Sequence, residues 1–154
     1  MISKHDNAFR IAIVGGGLGG LFTALCIHHH CKAIDVPVKI DVYEQAAQYK
    51  EIGAGLGLGL NAAKLAHAIG IGDKLNAISG LEKGNPSWLV FRRFDNSDDV
   101  VNLDVHEVGK IRQAPCVRTE LLDLFKSTIE ERGAATLHTK KACWKVEVCI
   151  CTLL

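Results

Sequence analysis

Phe9-Arg-Ile-Ala-Ile-Val-Gly-Gly-Gly-Leu-Gly-Gly-Leu21 passes from a short apolar run through a glycine turn into a helical pattern. Ile11 to Val14 has the length and the β-branched content of a buried strand. Gly15, Gly17 and Gly20 then stand in the G-x-G-x-x-G spacing. Gly15 permits a tight turn, Gly17 lets the backbone approach a pyrophosphate, and Gly20 lets the helix lie close against the strand. The helix start offers N–H groups and a positive dipole end to an anion. A second apolar run, Val38 to Tyr43, ends at Glu44, whose carboxylate can accept hydrogen bonds from a ribose. Gly20 and Glu44 lie 24 positions apart, somewhat more than the usual spacing of about 20, and an extended helix end and loop over residues 28–37 accounts for the excess. Alone, the glycine spacing is weak. With a strand before it, a helix after it and an acid closing the next strand, it reads as a nucleotide-cofactor site on an α/β, Rossmann-like fold.

With 154 residues, 48% of them hydrophobic and 23% charged, the chain has the size and composition of one ordinary globular domain with a real core. The net charge of +1 gives no electrostatic case for a nucleic-acid partner or an anionic membrane. Met1-Ile-Ser-Lys-His-Asp6 has no apolar signal-peptide core, and Ile11 to Val14 is far too short to span a bilayer; a cytoplasmic location is expected. The cysteines, Cys26, Cys31, Cys116, Cys143, Cys149 and Cys151, form no C-x-x-C pair and are expected to be reduced thiols. His28-His-His-Cys31 is read as the exposed end of the first helix, because no second ligand cluster accompanies it; no metal site is expected.

Residues 1–8 are expected to form a loose tail. The first helix should run from Leu18 to about His30, with Leu18, Leu21, Phe22 and Leu25 on one face. Glu51-Ile-Gly-Ala-Gly-Leu-Gly-Leu-Gly-Leu60 alternates glycine with apolar residues. That pattern fits backbone lying close to something flat or bulky, and equally a flexible loop. Asn61 can cap a helix through Leu65 and Ile69 that ends at Gly70, and Asp73 can cap a shorter one through Leu75 and Ile78. Trp88 to Phe91 and Val100 to Leu103 read as strands joined by a polar turn at 95–98. Thr119 can cap a third long helix with a stripe of Leu121, Leu122, Leu124, Phe125 and Ile129, closed by Gly133; Lys145 to Cys151 alternates as a final strand.

The glycine turn, Glu44, the E-I-G-A-G-x-x-x-x-x-N segment at 51–61 and the R-x-x-L helix start at Arg118 fall in one order. That order resembles the FAD-dependent aromatic hydroxylases, or class A flavoprotein monooxygenases, most closely their salicylate-hydroxylase-like branch, over roughly residues 8 to 142. The resemblance implies FAD as cofactor, with Gly15, Gly17 and Gly20 at the pyrophosphate and Glu44 at the adenosine ribose. It also implies Gly53, Ala54 and Gly55 approaching the cofactor from a second loop, and Arg118 near its phosphates and ribityl chain. A guanidinium at a helix start suits a diphosphate on its own terms. In the family, NAD(P)H is the transient reductant and a small aromatic compound is hydroxylated. The family's later Asp-Gly and Gly-Asp motifs and its substrate-holding sheet domain have no counterpart here. The resemblance therefore implies a partial FAD-binding domain over residues 8–154, with the substrate domain largely absent, no assignable catalytic acid or base, and inactivity of this piece by itself. A non-catalytic nucleotide-binding module and a nicotinamide-binding domain are the other readings; the 51–61 segment and Arg118 favour FAD.

Overall fold

The computed structural model describes residues 8–48, 54–80 and 87–147. In chain order the elements are β1 (Phe9–Val14), α1 (Leu18–Ala33), β2 (Val38–Tyr43), β3 (Gly55–Leu58), α2 (Leu60–Ala68), α3 (Gly72–Ile78), β4 (Ser87–Arg92), β5 (Asp99–Asp104), β6 (Glu107–Val108), β7 (Ile111–Arg112), β8 (Ala114–Val117), α4 (Arg118–Arg132) and β9 (Thr136–His138). They divide into two compact units, Met1–Tyr49 with Arg132–Leu154, and Lys50–Glu131.

The first unit is built on a parallel sheet of order β1-β2-β9. β1 and β2 run in register from Phe9 opposite Val38 to Val14 opposite Tyr43. α1 lies on both of these strands and is the crossover between them. Its Leu21, Ala24 and Leu25, spaced three and four apart, are fully buried, as are Ile40 and Val42 of β2 on alternate positions. Each such leucine removed from water contributes about 1.5–3 kcal/mol. The helix runs past His30 to Ala33 and closes in a Schellman turn, with Asp35 in the left-handed region at φ 53°. There the Asp35 N–H donates to the Lys32 carbonyl and the Val36 N–H to that of Cys31.

The second unit carries three antiparallel pairs: β3 with β8, β4 with β5, and β6 with β7. The glycine-alternating segment is neither helix nor loose loop over its described part, because β3 pairs with β8 from Gly55 opposite Val117 to Leu58 opposite Ala114. The flat partner expected of that backbone exists at Gly57, where a Cβ would come within 2.6 Å of the Trp88 ring. The β4–β5 hairpin and its polar turn follow the sequence reading; Leu89 faces Leu103 and Phe91 faces Val101 across it, all four exposed. Gly70 ends α2 at φ 75°, and Gly133 follows α4 at φ 59°. The α4 stripe Leu121, Leu122, Leu124, Phe125 and Ile129 is buried, and the buried Thr128 hydroxyl is satisfied by the Leu124 carbonyl at 2.7 Å.

Three expected caps are corrected. The cap of α2 is Gly59, not Asn61; that of α3 is Ile71, not Asp73; and α4 begins at Arg118, one residue before Thr119. The cause is common to them, since each helix follows a ladder or turn without a spacer. β3 ends at Leu58, the Ile71 N–H closes the turn after α2 on the Ala66 carbonyl, and the Arg118 N–H donates to Ala54. Asp73 still lies in the first turn of α3, where its charge suits the dipole. The expected final strand is also corrected over its described part. Residues 145–147 are irregular, and the place beside β2 is taken by β9, whose three residues were too few to show a pattern. Residues 148–151, like the expected tail over 1–7 and Gly53, lie outside the described residues.

Gly57→Ala is expected to destabilise the chain by about 1–3 kcal/mol, the usual cost of overpacking, in urea denaturation followed by tryptophan fluorescence. Unchanged stability would show that the Trp88 ring does not depend on that bare backbone.

Candidate functional site: a glycine turn bound to an acid

The first unit brings Gly15, Gly17, Gly20 and Glu44 to the carboxyl ends of β1 and β2. Gly15 takes φ 106°, which a side chain rarely adopts, and its N–H donates to the Tyr43 carbonyl at 2.8 Å. The next N–H, that of Gly16, donates to Glu44 Oε2 at 2.8 Å, and Glu44 Oε1 accepts from the Ala46 N–H at 2.8 Å. These bonds, Ala46 first and Gly16 next, hold the Glu44 carboxyl below the usual carboxylate range, so it is ionised at neutral pH. A carboxylate has about four acceptor positions. Two are occupied here, which leaves capacity for ribose hydroxyls.

Gly17 and Gly20 differ in what the protein itself requires of them. A Cβ on Gly20 would fall on the Gly15 carbonyl oxygen and lie 3.3 Å from Ile13 Cγ2, so close approach of α1 to β1 excludes any side chain there. A Cβ on Gly17 would meet nothing within 4 Å, and its φ of −69° suits any residue. Neither packing nor backbone strain accounts for a glycine at 17. Gly17 caps α1 without a side-chain bond, and the first turn of α1 carries no acid. The helix start therefore keeps its capacity for an anion.

In the second unit, Ala54 and Gly55 are exposed, and the Ala54 carbonyl accepts the Arg118 N–H at 3.0 Å. The β3–β8 ladder thus sets the start of α4 beside Ala54 and Gly55. Gly53 lies outside the described residues. Sequence reasoning missed Gly16, whose N–H is the link to Glu44; the signal available was the run of glycines at 15–17.

His28 to Cys31 lie within the last turns of α1, as expected, and burial, Lys32, Arg132 and His29 depress the His28 pKa. Among the described residues, no group of three or more His, Cys, Asp or Glu is placed to hold a metal ion. Cys26, Cys31, Cys116 and Cys143 are free thiols; burial, helped by Glu120, pushes that of Cys116 up to about 11. No described helix is long and apolar enough to cross a membrane.

Salicylate hydroxylase of Pseudomonas putida is 39% identical over 134 residues, 84% of this chain and 28% of that protein. The 3-hydroxybenzoate 6-hydroxylase of Polaromonas naphthalenivorans is 36% identical over 161 aligned positions, 89% of this chain and 37% of that protein. Over most of its length this chain is similar to FAD-dependent aromatic monooxygenases. It spans about a third of the length of the curated relatives it matches. No family model matches it. The fold agrees: the structure of the flavin-dependent monooxygenase PieE, in complex with FAD and substrate, superposes with a TM-score of 0.67 at 16% identity, over 88% of this chain and 24% of that one.

Gly20→Ala is expected to cost about 1–3 kcal/mol of stability and Gly17→Ala less than about 0.5 kcal/mol, in paired urea titrations. Equal losses would show that Gly17 too is required by the fold.

Proposed function

We propose that the first unit of this chain binds the ADP half of FAD. The pyrophosphate lies on Gly15, Gly17 and Gly20 at the start of α1, and Glu44 accepts hydrogen bonds from the adenosine ribose. One observation supports this most: the Glu44 carboxylate is already bound to the glycine turn through Gly16, beside a Gly17 that the protein's own packing leaves bare. An acid and an open helix start at the ends of adjacent parallel strands suit a nucleotide diphosphate. On the resemblance of the motifs, Gly53, Ala54, Gly55 and Arg118 are assigned to the same cofactor.

The activity proposed for the whole protein is NAD(P)H-dependent hydroxylation of a small aromatic compound, as the names of the relatives suggest. FAD supplies the redox chemistry when bound. The contribution assigned to these residues is placement: main-chain N–H groups and the α1 dipole hold phosphate charge, and Glu44 fixes the ribose. Residues 8–154 are proposed to form part of an FAD-binding domain and, taken by themselves, to bind cofactor without turnover. The cytoplasm is the proposed compartment, which the four free thiols among the described residues suit.

Titration with ADP and with FAD tests the assignment. Gly17→Val should abolish measurable binding of both, because its side chain fills the pyrophosphate space. Glu44→Lys should weaken both by about tenfold or more, as for loss of a charged hydrogen bond. Unchanged affinities would remove the site. The purified chain with added FAD, NAD(P)H and phenolic acids should give no substrate-dependent product; turnover would show that these residues suffice for catalysis. A yellow purified protein would favour flavin over a nicotinamide.

A further inference from the structure

The residue that completes the site is one the glycine motif does not contain. We propose that His138 is a positioning residue for Glu44, setting its affinity for ribose hydroxyls through the main chain. The proposal rests on the reading of Glu44 as the ribose ligand.

β9 is a three-residue strand on one edge of the described sheet, and its last residue, His138, stands opposite Tyr43 in the parallel ladder with β2. Asp41 and Tyr43 project from the same face of β2. The His138 ring is held by both: Nε2 lies 2.8 Å from Asp41 Oδ1, and the ring stacks on Tyr43 with centroids 4.8 Å apart and planes 11° from parallel. The His138 carbonyl accepts the Glu44 N–H at 2.8 Å, and the Glu44 carbonyl accepts the Lys141 N–H at 2.9 Å. The Glu44 peptide groups are therefore clamped from the end of β9, as its two carboxylate oxygens are clamped from Gly16 and Ala46. A short strand at a sheet edge opens easily. Fixing the ring of its last residue keeps the carbonyl in place, and with it the backbone from which the carboxylate is aimed.

Two readouts separate positioning from general stability. The first compares ADP with 2′,3′-dideoxy-ADP, which lacks the ribose hydroxyls. In the 154-residue chain, His138→Ala should weaken ADP about fivefold, as for loss of one neutral hydrogen bond, and leave the dideoxy analogue within about twofold. His138→Gln, whose amide nitrogen can again reach Asp41, should recover part of the loss. Asp41→Ala, which keeps the imidazole and removes its acceptor, should reproduce it. The second readout needs no ligand: exchange of the Glu44 amide hydrogen, followed by NMR, should accelerate about fivefold or more in His138→Ala. Equal weakening of both nucleotides, weakening of neither, or unchanged Glu44 exchange would overturn the proposal. A wild-type chain that binds ADP no better than the dideoxy analogue would instead remove Glu44 as the ribose ligand, and the positioning role with it.

Discussion

A carboxylate with both oxygens on main-chain N–H groups ties the first unit together. Glu44 accepts from Gly16 in the turn after β1 and from Ala46 in the loop after β2. The Tyr43 carbonyl beside it takes the Gly15 N–H. The turn, the start of α1 and the ends of two strands are thereby fixed to one another before any ligand arrives. Preorganisation of this kind lowers the ordering cost of binding. It also keeps the acid charged, because hydrogen bonding from the backbone favours the ionised form.

The same turn separates the glycines that the fold requires from the one that it does not. Gly15 serves the backbone angle and Gly20 the contact of α1 with β1; both are needed whether or not a nucleotide binds. Gly17 is needed only if something approaches from outside. Gly57 in the second unit belongs with Gly20, since the ring of Trp88 lies where its side chain would be.

Much of this could be read from the sequence, and the limits have physical causes. β2 and α1 were legible because Ile40 with Val42, and Leu21 with Leu25, recur at strand and helix spacing and are buried. β1 was legible as a strand but is not the buried one expected, since none of its residues is buried and Phe9 and Val14 are exposed. The stripe of α4 was legible for the same reason. The caps at Asn61, Asp73 and Thr119 failed because ladder and turn hydrogen bonds lead straight into those helices, so no side-chain cap was required. β8 and β9, four and three residues long, are specified by their partners rather than by their own pattern. Hence Glu44 and the glycines were visible as candidates, whereas the contacts that hold Glu44 are tertiary: the glycine run at 15–17 was a signal for Gly16, and nothing in the spacing marked His138.

The central claim is that one small set of backbone amides receives the nucleotide, and amide chemical shifts measured while ADP is titrated into the 15N-labelled chain report on it residue by residue. The account predicts saturable shifts that are largest at residues 15–20 and at 44–46. Saturable shifts that spare the glycine turn and centre elsewhere, such as on the cavity of about 350 Å³ lined by Ala12, Val14, Tyr43 and Cys143, would contradict it.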